Sequence, residues 1–269
     1  MIITDQREKD VKWMWRDNVA ADYTVKIEGE APRLKLTIPV RLPDRQWLSI
    51  QLSCHDEGWD GFKGDNPYVA KGSRFIFGYA FMLTPQIPVF MAGEEFDADY
   101  VPLPRLSPRL YGEERGRGTW LYGSWIQWSQ LEKPRHAEML EDVKRIIAIR
   151  KQEKDLITPL RMGDKPDHML PVPFRRSPVE LPLPYLYFDD KKMLLIAGNP
   201  NRDRDVEVSF RIPFQLAGFG NHSVFRVTDL WNGGEDVFSR AQLEQKTWTI
   251  RRDGIKGGGL LVLKLEPQL

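Results

Sequence analysis

Two acidic clusters and one aromatic cluster have the residue types that chemistry needs. The first cluster is His55-Asp56-Glu57-Gly58, which abruptly stops the strand-like run Trp47-Leu-Ser-Ile-Gln-Leu-Ser-Cys54. A carboxylate at the end of a buried strand can stabilise an oxocarbenium-like charge or accept hydrogen bonds from sugar hydroxyls. The competing reading is a solvated loop start, with His55 capping a backbone group. A metal-dependent hydrolase built on His55, Asp56 and Glu57 ranks low, because consecutive residues rarely converge on one ion and no spaced histidine pair is present.

The second cluster is Gly93-Glu94-Glu95-Phe96, with Asp97 and Asp99 close behind. Such acids can hold a divalent cation through oxygen ligands, but the spacing is not that of an EF-hand loop, so a structural role or an arginine partner is expected instead. The aromatic set comprises Trp120, Tyr122, Trp125 and Trp128, with Trp59 and Tyr68 near the first acidic cluster. Flat apolar rings pack against the apolar faces of sugars and suit binding clefts, although any one of these tryptophans taken alone is better explained by core packing.

The elements that must position these residues follow from periodicity. Val25 and Ile27, then Leu34, Leu36, Ile38 and Val40, alternate about the Gly29/Pro32 break and predict a β-hairpin. Asn66-Pro67 has the form of a helix start, and Phe75, Ile76, Tyr79, Ala80 and Leu83 continue at helical spacing until Pro85. Ile87–Ala92 is a second short apolar strand. After a long proline-rich loop, Met139, Leu140, Val143, Ile146, Ile147 and Arg150 trace one stripe of an amphipathic helix. Strand, helix, strand, loop, helix is the order of a parallel α/β sheet, whose strand ends face the ligand crevice.

From about Thr158 the texture changes. A proline-rich linker leads to strand-like runs at 185–188, 193–197, 206–212, 224–227, 247–251 and 260–265. Turn signals at Asp189-Asp190, Asn199-Pro200-Asn201, Gly233-Gly234 and Gly257-Gly258-Gly259 separate them, the last read as a hairpin turn. This part predicts an antiparallel β-sandwich or open barrel. Four segments are therefore expected: 1–45 with the hairpin, 46–158 as α/β, 159–184 as linker and 185–269 as sandwich.

Thirty-nine basic against 38 acidic residues exclude a polybasic surface for nucleic acid or anionic lipid. The single cysteine, Cys54, excludes an internal disulfide framework and any multi-cysteine zinc site. The first ten residues are too charged for a signal peptide, and no stretch reaches ~18 apolar residues, so a cytoplasmic setting without membrane contact is expected. No cofactor or metal is expected.

Taken in order, these pieces resemble the C-terminal part of glycoside hydrolase family 13, the α-amylase family. Leu52-Ser-Cys-His55-Asp56 matches the motif after barrel strand seven, and Thr84-Pro-Gln-Ile-Pro88-Val-Phe-Met-Ala-Gly93-Glu94-Glu95 matches strand eight and its loop. Gly123-Ser-Trp-Ile-Gln-Trp128 and Ala148-Ile-Arg150-Lys151 follow in the family order, over roughly residues 45–269. The resemblance implies a (β/α)8 TIM barrel followed by a β-sandwich, acting on α-glucosidic bonds of α-glucans or oligosaccharides with retention. It makes Asp56 the transition-state-stabilising carboxylate, and His55, Trp59 and Trp125 sugar contacts.

A complete barrel takes ~250 residues, or at least about 200. The α/β part here has two recognisable βα units and no candidate for the nucleophile or the general acid, since Glu28 and Glu30 lie in the hairpin turn. The expected fold is thus an incomplete (β/α)8 barrel plus a sandwich. Such a chain belongs to an α-glucan-active enzyme and is inactive alone, partnered by the missing half of the barrel. The alternative is a non-catalytic carbohydrate-binding protein or one half of a split barrel. Exposed parallel strand edges predict poor solubility or pairing through those edges.

Overall fold

A computed structural model describes residues 49–51, 72–85, 87–102, 124–158, 169–177, 179 and 181–268. The predicted hairpin at 25–40, the Asn66-Pro67 helix start, and His55, Asp56 and Trp59 lie outside the described residues.

The α/β part begins with strand β1 (Ser49–Gln51), which pairs in parallel with β2 (Ile87–Val89) in the register Ser49↔Ile87, Ile50↔Pro88, Gln51↔Val89. A proline cannot donate to a ladder, so Pro88 fits a strand whose amide side needs no partner at that position. Between the two strands runs a helical segment that widens into a π-helix over Ile76–Met82, closed by Leu83 N–H donating to Gly78 O at 2.9 Å. It is started by Ser73, whose Oγ accepts from the Ile76 N–H at 3.0 Å. The helical spacing of Phe75, Ile76, Tyr79, Ala80 and Leu83 is borne out, and all five are buried. Phe77 and Phe81 are buried as well, so the segment has no solvent face.

Two short strands, β3 (Tyr100–Pro102) and β4 (Ser124–Ile126), form an antiparallel pair. Helix α1 (Pro134–Gln152) follows, with proline in its first turn, and then the short α2 (Lys154–Ile157). Met139, Val143, Ile146 and Ile149 of α1 are buried against the π-helix, as the apolar stripe requires, while Leu140 and Ile147 sit at its margin. Arg150 donates from Nη1 to the Met82 and Thr84 carbonyls, satisfying acceptors that the end of the π-helix leaves open.

The C-terminal part is built of antiparallel sheets. Six strands, β5 (Met169–Pro171), β7 (Tyr185–Phe188), β8 (Met193–Gly198), β10 (Val224–Asp229), β11 (Glu235–Ser239) and β13 (Leu260–Pro267), lie in the order β11-β10-β13-β8-β7-β5. Three more, β6 (Phe174–Arg176), β9 (Val206–Phe210) and β12 (Trp248–Ile250), lie in the order β12-β9-β6. A one-turn helix, α3 (Arg240–Gln245), starts with a capping box on Ser239.

All six expected strand runs are strands. The stretch 159–184, read as a linker, also carries β5 and β6, which pair with β7 and β9. Its prolines mask short edge strands because proline is tolerated there and weakens the alternation signal. Strand β11 and helix α3 were likewise not anticipated.

The six-stranded sheet is covered on both faces, which explains the nearly unbroken apolar runs of β8 and β13. Leu194, Ile196, Leu260, Val262, Tyr185 and Tyr187 face the π-helix and α1. Met193, Leu195, Ala197, Leu261, Leu263 and Leu265 share a second core with Val206, Val208 and Phe210 of the three-stranded sheet. Tyr79, Tyr185 and Tyr187 are buried and hydrogen-bonded to the carbonyls of Leu183, Tyr79 and Leu83 respectively. Burial pushes all three hydroxyls far above the ordinary tyrosine value, so they act as neutral donors.

The loop at Gly257–Gly259 corrects the sequence reading. It is no hairpin turn: it carries the chain from β12 in one sheet to β13 in the other, where β13 pairs with β8 and β10. Its glycines are needed because the loop presses on the helical layer. A Cβ on Gly259 (φ +75°) would stand 2.6 Å from Asp253 Oδ1 and 2.7 Å from Phe75 N. At this seam Asp142 of α1 accepts from Arg74 Nε at 2.8 Å and from Gly257 N–H at 2.9 Å. Asp253 accepts from Ser73 Oγ at 2.5 Å and from Phe75 N–H at 3.1 Å.

Candidate active site

Parallel pairing sends both chains out of the sheet at the same end. From the register Gln51↔Val89, His55 and Asp56 follow β1 by four and five residues, and Gly93 and Glu94 follow β2 by the same distances. The Gly93-Glu94 cluster therefore lies just past the C-terminal end of the parallel pair, while the His55-Asp56 cluster lies outside the described residues. Open α/β sheets present their functional side chains at that end.

The second loop is a tight turn. Gly93 has φ +102°, a value open to glycine, and accepts from Ala98 N–H at 2.9 Å. Glu94 is buried and its Oε2 accepts from Met91 N–H at 2.9 Å, while Glu95 Oε2 accepts from Gly93 N–H at 2.7 Å. Both glutamates thus close the turn on its own backbone. The turn ends at Asp97, a non-glycine residue with φ +58°.

Asp97 is buried and takes two hydrogen bonds on Oδ2 from Arg135, at 2.9 Å from Nε and 2.5 Å from Nη2. The arginine partner expected for this acidic cluster is therefore present. Asp97 Oδ1 is buried and has no hydrogen-bond partner among the described residues. Among the described residues no group of three or more His, Cys, Asp or Glu side chains is arranged to hold a metal ion.

Helix α1 anchors the turn from behind. His136 is buried and its Nδ1–H donates to Phe96 O at 2.9 Å, with Nε2 3.9 Å from Asp99 Oδ2. Gln130 clamps Asp99 from both sides, accepting from its N–H at 2.8 Å and donating to its carbonyl at 2.7 Å. These positioning residues were not singled out from sequence. His136 could have been, because it precedes Met139 and Val143 on the buried stripe at i, i+3 and i+7 spacing.

Of the predicted sugar contacts, Trp125 lies on β4, opposite Val101 of β3. Its strand is thereby held beside the one that leaves the Gly93–Asp97 turn. Trp128 starts the 3-10 turn Trp128–Glu132 and is 58% exposed, with its ring 5.4 Å from that of Phe96 at an interplanar angle of 40°.

Comparison with solved structures shows a shared architecture. AmyP in complex with maltose superposes with a TM-score of 0.51 at 12% identity, over 84% of this chain and 42% of that one. The fold is that of the C-terminal part of the α-amylase family. The α-amylase from Geobacillus thermoleovorans complexed with acarbose is also similar (TM-score 0.47, 12% identity, 83% of this chain and 40% of that one). So is trehalose-6-phosphate hydrolase from Bacillus licheniformis (TM-score 0.44, 14% identity, 82% and 43%). The chain spans about two-fifths of the length of the solved α-amylase-family chains it matches. No family model matches the sequence, and no curated protein does. No helix among the described residues is long and apolar enough to cross a membrane.

Proposed function

We propose that this chain is the C-terminal part of an α-amylase-family glycoside hydrolase or transglycosylase that acts on α-glucosidic bonds of α-glucans or oligosaccharides with retention. One observation carries the reading: β1 and β2 pair in parallel, which supports a shared sheet end for the segments that follow them, the Gly93-Glu94 turn among them. The fold shared with maltose-bound AmyP supports an α-glucan as substrate class.

In this reading β1 and β2 are the last two strands of a (β/α)8 barrel, and the sheets after residue 169 are its C-terminal sandwich. Asp56 holds hydroxyls of the distorted sugar and stabilises the positive charge that develops at the anomeric carbon. His55 donates a hydrogen bond to the same sugar, and Trp59 and Trp125 pack on its apolar face. The nucleophile and the general acid/base come from a complementary part of the barrel, in a retaining arrangement with carboxyls ~5–5.5 Å apart. The Glu94/Glu95 turn at the end of β2, held by the Asp97–Arg135 pair and the His136–Phe96 hydrogen bond, is one wall of the cleft in this reading.

The second reading is a non-catalytic carbohydrate-binding protein or one half of a split barrel. The exposed side chains of Ile87 (46%) and Val89 (44%) on β2 favour a further covering element at this edge. The test is reducing-end release from maltoheptaose by the chain alone and by the assembled enzyme. The assembled enzyme carrying Asp56→Asn is expected to lose about 10²–10³-fold in kcat with its fold retained. Turnover unchanged by that substitution removes Asp56 from the site. Turnover by the isolated chain refutes the division of catalytic groups between two parts.

A further inference from the structure

Strand β11 is an edge of the six-stranded sheet, and among the described residues no strand pairs with it beyond β10. Free edges invite pairing, and the other sheet edges of the C-terminal part are blunted. β5 is three residues long and ends at Pro171, β6 is irregular between Phe174 and Arg176, and β12 is three residues long. β11 has five residues, no proline and an unbroken register against β10. Its middle residue, Val237, is 59% exposed.

The ladder fixes which backbone groups point outward. Asp229 N–H donates to Gly234 O at 3.0 Å and Arg240 N–H to Ser223 O at 2.8 Å, both continuing the register Val227↔Asp236 and Phe225↔Phe238. Hydrogen-bonded pairs alternate along an antiparallel ladder, so the peptide groups of Asp236 and Phe238 face β10 while those of Glu235, Val237 and Ser239 face away. The Ser239 N–H is already taken by Gln242 Oε1 at 2.7 Å, so the start of α3 ends the open row.

The charges on this edge select its occupant. Asp236 and Phe238 share one face of the strand, and Lys246 Nζ lies 5.3 Å from the centre of the Phe238 ring. Glu235 is paired with Arg226 at 3.7 Å, whereas Asp236 and Lys246 make no ion pair among the described residues. When two copies of β11 pair antiparallel about a two-fold at Val237, Asp236 stands opposite Phe238 of the partner subunit, beside Lys246 of the partner subunit. Glu235 then stands opposite Ser239 of the partner subunit, so no acid faces an acid. An in-register parallel pairing would set like acids side by side.

We propose that β11 is a homodimer edge, at which two copies of this chain join antiparallel through Glu235–Ser239 into one continuous sheet. The new bonds are the two exchanged between the Val237 residues and one from each Glu235 N–H to the carbonyl of Ser239 of the partner subunit. The two exposed valines meet on one face, and Asp236 meets Lys246 of the partner subunit on the other. A five-residue contact is small, so the dimer is reversible and its population follows concentration. None of this depends on the α-glucan reading.

The test is sedimentation velocity of the 269-residue chain between about 2 and 200 μM, where a monomer–dimer equilibrium is expected. Val237→Pro removes an outward N–H and no bond to β10, so it is expected to raise the dissociation constant about tenfold or more with circular dichroism unchanged. Asp236→Lys is expected to do the same by setting two lysines together, and adding Lys246→Glu to restore the dimer to within about threefold. Hydrogen exchange in the peptide covering 235–239 of the wild-type chain is expected to slow at the high end of the concentration range, and this arm requires no variant. A chain that stays monomeric throughout the range overturns the proposal, as does exchange that is independent of concentration. Association that Val237→Pro leaves intact also overturns it, because the contact then lies at another edge. Failure of Lys246→Glu to restore the dimer in Asp236→Lys overturns the register.

Discussion

Replacing Asp142 by alanine tests whether the helical layer and the sheets are one folding unit. Asp142 is 3% exposed and holds two donors from different parts of the chain, Arg74 Nε at 2.8 Å and Gly257 N–H at 2.9 Å. The side chains of the pair are 3% and 4% exposed, so solvent does not screen them. Removing the carboxylate strands a buried guanidinium, which costs about 3–5 kcal/mol. The orphaned Gly257 amide adds about 1 kcal/mol or more. Arg74 keeps its bond from Nη1 to Gly72 O at 2.8 Å, which compensates little because that carbonyl is neutral.

A loss of about 4–6 kcal/mol is a large share of the ~5–15 kcal/mol typical of a folded domain. At roughly 2–4 °C per kcal/mol for a chain of this size, Tm falls by about 10 °C or more. Urea unfolding followed by tryptophan fluorescence and far-UV circular dichroism reads the change. Both signals are expected to shift together, because the seam joins α1 to the β12–β13 crossover. The double replacement Arg74→Met with Asp142→Leu is expected to recover most of the loss, since it removes both charges. A cost below about 1.5 kcal/mol for Asp142→Ala, or a shift in only one of the two signals, refutes the reasoning.

The same seam yields two further expectations, to be set beside the Asp56 and Val237 tests. Gly259→Ala is expected to cost about 3 kcal/mol in urea denaturation, from the positive φ and from the Asp253 and Phe75 atoms its Cβ would meet. Gly233→Ala, at φ +87° with nothing within 4 Å, is expected to cost only about 1 kcal/mol, and equal costs at the two sites would count against a packed seam. Burial holds the Asp253 carboxyl above its ordinary value, against the opposing hydrogen bonds from Ser73 and Phe75. The folded state therefore binds the proton more tightly than the unfolded one. The contribution of Asp253 to stability is full below the ordinary carboxylate value of about 4 and is lost as pH rises through its folded value. Asp253→Asn should flatten the stability profile across that window in urea titrations at stepped pH, and an unchanged profile would contradict the assignment.

Much of the architecture is local and can be read along the chain. The stripe Met139, Val143, Ile146 gave α1 its buried face, and six alternating or apolar runs gave six strands, because side-chain period depends only on neighbours in sequence. The arginine partner of the Asp97 cluster was also expected from the chemistry of clustered acids, although nothing in the sequence pointed to Arg135, 38 residues away. Three features depended on distant parts of the chain. Met169–Pro171 and Phe174–Arg176 become strands because β7 and β9 offer them ladders that override their prolines. Gly257–Gly259 is a crossover because β13 finds better-buried partners in β8 and β10 than in its sequence neighbour β12. His136 and Asp142 interrupt an apolar helix face, and only the packed loops opposite supply the hydrogen bonds that make their burial favourable. The sequence by itself determined the long helix and the six apolar strand runs, whose patterns are local. The tertiary structure decided that Ser49–Gln51 and Ile87–Val89 pair side by side in parallel, because strand register is a pairing between residues 38 positions apart that no local pattern encodes.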